Sequence, residues 1–204
     1  MPAEARITPI WKKQKLFVAL FLFAFAAYFF WDGAVGYPRA DTRYREWKSY
    51  HDDGRLAEWP AHAQQKGWKA DEWQKWLDDP HQQGQIPAER FGRGKILEQF
   101  VCGGVVGLLG LITFTYWFSQ KDRKLRSDAE AAYAPNGKRV PFSAITGLGK
   151  KKWEAKGLAN VRYEIDGRKG QFVLDDYKYD RDPTHQILAE IEEQLLARSP
   201  APSE

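Results

Sequence analysis

The chain has 204 residues and a formal charge of +4, from 31 lysines and arginines against 27 aspartates and glutamates. So mild a positive charge argues against a nucleic-acid-binding protein, and the single cysteine excludes an intrachain disulfide. Much of the apolar content lies in two blocks, which indicates a membrane protein rather than a uniform globular domain.

The first apolar block covers residues 16–31 and follows a basic segment, 1–15. A helix of this length rises about 24 Å, somewhat less than the ~30 Å hydrocarbon core, so the block predicts a first transmembrane helix. A cleaved signal peptide is the competing interpretation, because a basic region precedes an apolar run. The run ends in Tyr-Phe-Phe-Trp, where a cleaved signal would turn polar, and this favours an uncleaved anchor.

The second block predicts a transmembrane helix over 99–119, since residues 100–118 contain no charge. Gly103 and Gly107 form a GxxxG pair, and Gly110 lies on the same helical face. Glycine lets helix backbones approach closely in lipid, so we predict a packing surface. Two hypotheses remain open: the face packs the two helices of one hairpin, or it binds a partner or a second copy.

The segment 32–98 between the two blocks has a net charge of −1, whereas the two flanks together have +5. Positive charge favours the cytoplasmic side of a membrane. We therefore expect an inner (cytoplasmic) membrane protein with both termini in the cytoplasm and 32–98 exported.

The exported loop is predicted to contain three short helices, with Gly36-Tyr37-Pro38 as a turn where the chain leaves the membrane. Pro60 marks the start of the second helix and Gly67 its end. The loop is unusually rich in tryptophan: Trp47, Trp59, Trp68, Trp73 and Trp76. These residues are expected to form a small core of their own, to lie on the bilayer surface or, as we prefer among functional interpretations, to bury against a partner.

A cytoplasmic domain is predicted over 120–198, followed by a disordered tail, 199–204. Residues 159–165 alternate between apolar and polar, and Asp166-Gly167 is typical of a hairpin turn, as is Asn136-Gly137. An amphipathic helix follows, with Asp182 as its N-cap and a stripe that includes Ile191. This gives about four antiparallel strands and one helix, a module over 127–198 that is expected to fold without the membrane.

This order of elements resembles the C-terminal part of pleckstrin-homology-like (PH-like) domains, in which one helix caps a seven-stranded barrel. The resemblance implies an interaction module, because such domains mostly bind lipid headgroups, peptides or each other. The sequences "GYP", "KKWEAKGLANVRYEIDG" and "LDDYKYD" are also similar to uncharacterised two-pass membrane proteins of bacteria, a resemblance that implies no activity.

Two basic groups in this domain are candidates for contact with an anionic membrane surface, where each lysine contributes about 1 kcal/mol. They are Lys121, Arg123, Lys124 and Arg126 after the second helix, and Lys150, Lys151 and Lys152 before Trp153. Both groups are expected to face the same leaflet. The alternative is that the second group is a solvated loop.

No nucleophile, phosphate-binding or metal-ligand motif is present in the sequence, so we predict no catalytic residues, no metal and no cofactor. The expected class is a membrane α-helical hairpin joined to a small α+β domain. Two functions remain: an assembly or interaction subunit that binds a membrane-protein partner or another copy, and a transmembrane sensor that couples the loop to the cytoplasmic domain.

Overall fold

The computed structural model describes residues 2–73 and 91–198, and the chain divides into two compact units, 1–20 with 111–204 and 21–110. The described helices and strands follow one another as β1 (Ala3–Arg6), α1 (Pro9–Trp31), α2 (Tyr37–Asp52), α3 (Trp59–Gln65), α4 (Arg93–Gln120), β2 (Lys124–Ser127), β3 (Ala131–Tyr133), β4 (Arg139–Pro141), β5 (Ile145–Lys152), α5 (Trp153–Lys156), β6 (Leu158–Ile165), β7 (Arg168–Asp175) and α6 (Arg181–Leu196).

Two helices in the described part of the chain are long and apolar enough to cross a membrane. One is Pro9–Asp52, which contains α1, and the other is α4. Both begin upstream of the predicted spans, because lysines and other polar residues before the apolar blocks also adopt helical geometry. Many of their large apolar side chains are exposed, among them Phe17, Leu20, Phe25, Val101, Leu108 and Ile112.

The turn predicted at Gly36-Tyr37-Pro38 is wrong, because the helix continues through it. A π-helical turn, Asp32–Gly36, joins α1 to α2, and the N–H of Tyr37 donates to the carbonyl of Asp32. Pro38 has no N–H to donate and its ring crowds the preceding turn. Widening that turn to the π form accommodates the proline without ending the helix.

The unit formed by 1–20 and 111–204 contains seven strands in two antiparallel sheets rather than the four expected. One sheet has the order β1-β2-β3-β4 and the other β5-β6-β7. β1 lies in the segment 1–15, which is predicted only as a basic extension, and it pairs with β2 from Ala3↔Ser127 to Arg6↔Lys124. Strands this short show too few alternations to be recognised from their pattern.

The β6–β7 hairpin is as the alternation predicts. Ala159, Val161 and Tyr163 are buried, and the turn residues Asp166 and Gly167 have φ of 52° and 72°. The positive φ values are those of the tight turns that match the twist of paired strands.

Helix α6 packs its apolar stripe into the core shared by the two sheets. Ile187, Leu188 and Ile191 are buried there, as predicted. The helix starts earlier than expected, with Asp180 rather than Asp182 as its N-cap. The Asp180 carboxylate caps no N–H of its own helix but accepts the backbone N–H of Arg6 at 3.2 Å, so it fixes β1 instead.

Candidate functional site

A groove lies beside the end of α4, between the β3–β4 turn, β7 and the turn that follows β7. It has a volume of about 470 Å³. Its polar lining includes Gln120, Arg123, Asp175, Lys178 and Tyr179. We call this cavity the helix-end groove. All of its lining residues belong to the unit formed by 1–20 and 111–204.

Lys178 enters the groove from a turn that Asp175 holds in place. The Asp175 carboxylate accepts the backbone N–H groups of Tyr177 and Lys178 at 3.1 and 3.0 Å. The Lys178 carbonyl in turn accepts the N–H of Thr8 at 2.9 Å. The backbone of Lys178 is therefore held at its N–H by Asp175 and at its carbonyl by Thr8.

The Lys178 ammonium is surrounded mainly by aromatic rings. It lies 5.1, 5.9 and 5.4 Å from the ring centroids of Trp11, Tyr116 and Tyr179. Its Nζ donates to Oε1 of Gln120 at 2.8 Å. Burial lowers the pKa of Lys178 from its usual value, because the charged form loses hydration that the rings replace only in part.

Tyr179 is 1% exposed, and its hydroxyl has no hydrogen-bond partner among the described residues. Burial raises its pKa to about 12, although the nearby Arg123 charge acts in the opposite direction. A buried hydroxyl without a partner is uncommon in folded proteins, since it loses its hydration without compensation.

Arg123 completes the set of donors in the groove. Its Nε donates to the carbonyl of Ser119 at 3.0 Å, near the end of α4. Within the described ranges, neither Arg123 nor Lys178 forms an ion pair with a carboxylate.

The other predicted basic residues after α4 differ from Arg123 in this respect. Lys124 and Arg126 lie 3.0 and 3.7 Å from the Glu4 carboxylate on β1. Lys121 lies 3.9 Å from Asp122 and 4.6 Å from the ring centroid of Phe118. Among the residues of this group, Arg123 alone lines the helix-end groove.

The second basic group, Lys150, Lys151 and Lys152, lies at the end of β5 and does not line the groove. Lys150 forms an ion pair of 2.6 Å with Glu192 of α6, whereas Lys151 and Lys152 are exposed. Sequence reasoning missed Lys178, although "LDDYKYD" contains the one informative pattern, a lysine between two tyrosines directly after a strand.

The predicted glycine face contacts α1 within the unit 21–110. A Cβ at Gly103 would lie 3.3 Å from Phe29 and Phe30, and one at Gly110 would lie 3.2 Å from Phe23. A Cβ at Gly107 would meet Ala26 at 3.5 Å. The face therefore contacts α1 of the same chain, as the first of the two hypotheses above requires.

The tryptophans of the loop lie mostly in a core of their own. Trp47, Trp59 and Trp73 are 2–3% exposed and pack with Tyr44 and Ala63, while Trp68 is partly buried against them. Trp76, and most of the third predicted helix, lie outside the described residues. The buried tryptophans do not form the exposed aromatic surface that the partner hypothesis requires.

Within the described ranges, no group of three or more His, Cys, Asp or Glu residues is placed to hold a metal ion. His51 Nδ1 lies 3.2 Å from the carboxylate of Asp52, which also pairs with Lys48. The chain matches no protein-family model, no curated protein and no solved structure.

Proposed function

We propose that this protein is a non-catalytic, two-pass protein of the cytoplasmic membrane that acts as an assembly or interaction subunit. The supporting observation is the pairing of β1 with β2 at the two ends of the helical hairpin. Two residues separate β1 from α1, and three residues separate α4 from β2. The hairpin is thus an insertion within a β-domain, which the membrane would hold at the bilayer surface.

The same pairing supports the proposed topology. Residues 3–6 and 124–127 belong to one sheet, so the ends of the hairpin lie in the same compartment. The charge difference between the flanks and the loop favours the cytoplasm for that compartment. The loop 32–98 would then be exported.

We further propose that the β-domain is PH-like. Its sheets of four and three antiparallel strands, followed by a C-terminal helix, agree with the element order of such domains. Six of the seven strands follow α4, and the seventh, β1, comes from the segment before α1. Domains of this class serve as platforms for lipids, peptides or one another, which supports an interaction role over an enzymatic one.

A transmembrane sensor is the second candidate, and one observation favours it. Because only Ile7 and Thr8 separate β1 from α1, a displacement of α1 relative to α4 would strain the β1–β2 ladder. A change in the exported loop would in this way reach the cytoplasmic sheet.

Extraction of the tagged, full-length protein in a mild detergent tests the two candidates. A subunit should co-purify with a stable partner, or a second copy, in fixed stoichiometry after cross-linking and gel filtration. A monomer whose cytoplasmic protease sensitivity changes with the medium outside the cell would instead support the sensor. Turnover of a small molecule by the purified protein would overturn both.

A further inference from the structure

We propose that the helix-end groove binds the phosphate group of a membrane phospholipid through Lys178, Arg123 and the Tyr179 hydroxyl. This inference rests on the proposed membrane location. Of these three residues, only Arg123 is among the basic residues that the sequence predicts to contact a membrane. The lysines at the end of β5 do not line the groove.

The groove brings together donors whose capacity is largely unused. The Lys178 ammonium has three N–H groups and donates to one protein oxygen, that of Gln120. Arg123 uses its Nε for a carbonyl, which leaves the two terminal nitrogens of the guanidinium. The Tyr179 hydroxyl makes no hydrogen bond within the described residues, and because it is buried, a phosphate oxygen would reach it only if the neighbouring side chains move aside. A phosphate oxygen accepts from all three kinds of donor.

The balance of charge in the groove favours an anion. Two cations line it together with one carboxylate, that of Asp175. One oxygen of that carboxylate accepts two backbone N–H groups, and its charge offsets part of the effect of burial on Lys178 without forming a direct ion pair within the described ranges. A half-buried ammonium that no anion contacts directly is costly, and a bound phosphate would supply that contact.

The location selects a lipid over a free anion. The groove starts at Gln120, the last residue of an apolar helix, where a span would reach the headgroup layer. Trp11 and Tyr116, whose rings contact Lys178, are residue types that concentrate at that depth. A volume of about 470 Å³ is ample for a phosphoglycerol headgroup.

Binding is measured on full-length protein in detergent by titrating a short-chain phosphatidylglycerol and following tryptophan fluorescence and thermal stability. The matched probes are a diacylglycerol with the same acyl chains, which lacks the phosphate, and inorganic phosphate, which lacks the chains. We expect saturable stabilisation by the phospholipid alone. Lys178→Gln should weaken binding at least tenfold and Tyr179→Phe about threefold, whereas Lys156→Gln, at an exposed lysine outside the groove, should change nothing.

Each other outcome overturns the proposal in a defined way. Equal binding of the diacylglycerol means that the acyl chains alone are recognised, and saturation by inorganic phosphate means that the site takes a free anion. If Lys178→Gln and Tyr179→Phe bind phosphatidylglycerol as tightly as the unchanged protein, the lipid binds at a site other than the helix-end groove. If Lys178→Gln fails to fold, Tyr179→Phe and Arg123→Gln decide the question. Co-purification is measured separately, so a lone protein that binds lipid contradicts the assembly role but not this site.

Discussion

Ala5 pairs with Leu125 across the β1–β2 ladder, and both residues are fully buried although 120 positions separate them. The segment before the first apolar helix is therefore part of the core of the unit formed by 1–20 and 111–204. Ile7, at 3% exposure, extends this contact by bridging to Tyr179. The domain is complete only when both flanks of the hairpin are present.

A fragment of residues 120–198 should accordingly be unstable, because it lacks β1 and exposes the edge of β2 and the core beneath it. Residues 2–8 joined to 122–198 by a linker of about four residues should restore a cooperative melt, since lengthening a surface loop by a few residues adds little closure entropy. Circular dichroism and thermal melting measure both. The fused fragment with Ala5→Asp is the control: it should melt like the unfused one, because it buries a charge. A stable 120–198 fragment would show that β1 is dispensable.

Gly103→Leu should destabilise the hairpin, whereas Gly104→Leu should not. A Cβ at Gly103 would lie 3.3 Å from Phe29 and Phe30, but one at Gly104 would meet no atom within 4 Å. Both changes bring the same gain in helix propensity, so the difference reports packing alone. The measurement is the melting temperature of the detergent-solubilised protein. Equal melting temperatures would mean that the glycine face does not pack against α1.

Ile191→Ala should lower the free energy of unfolding by roughly 2–5 kcal/mol, because it leaves a cavity in the core. Ile191 is fully buried in the α6 stripe. Glu193→Ala, on the exposed face, is the control and should have little effect. Glu192 would be a poorer control, since it pairs with Lys150. Similar chemical-denaturation curves for the two variants would contradict the predicted role of the stripe.

Stability should fall as the pH rises from about 10 towards 12, and Tyr179→Phe should remove part of this loss. The pKa of Tyr179 is raised from 10 to about 12, so in this window the unfolded tyrosine loses its proton while the folded one keeps it. Raising the pH therefore favours the unfolded state. Lys178 acts in the opposite direction, because its pKa is lowered in the fold, but it is present in both proteins and its contribution largely cancels. Denaturation curves at pH 9 and pH 11 measure the difference, and parallel losses in the two proteins would contradict the assignment.

The topology predicts opposite labelling of two exposed alanines changed to cysteine in a Cys102→Ala background. Ala57 lies after α2 in the segment proposed to be exported, and Ala155 lies in α5 of the domain proposed to be cytoplasmic. An impermeant maleimide should label Ala57→Cys in intact cells and Ala155→Cys only after lysis. The reverse pattern would show that the topology is opposite to the one proposed.

The features that the sequence predicted well are those set by neighbouring residues. The alternation of Ala159, Val161 and Tyr163 defines the buried face of β6, and Asp166-Gly167 supplies the positive φ that its turn needs. The stripe of α6 follows in the same way from its helical period. Each of these depends on a few consecutive side chains, so a single sequence contains the necessary information.

The remaining features depend on contacts between distant segments, and only the tertiary structure decided them. Ala3–Arg6 alternates between apolar and polar residues over only four positions, which is too short a run to predict a strand. It becomes a strand because its backbone pairs with Lys124–Ser127 and Asp180 accepts the Arg6 N–H. Any sequence can form backbone hydrogen bonds of this kind, so the residues of β1 do not indicate which strand it pairs with. Lys178 was overlooked for a related reason: its lowered pKa is produced by the burial that Trp11, Tyr116 and Tyr179 provide, and the first two of these rings come from remote parts of the chain.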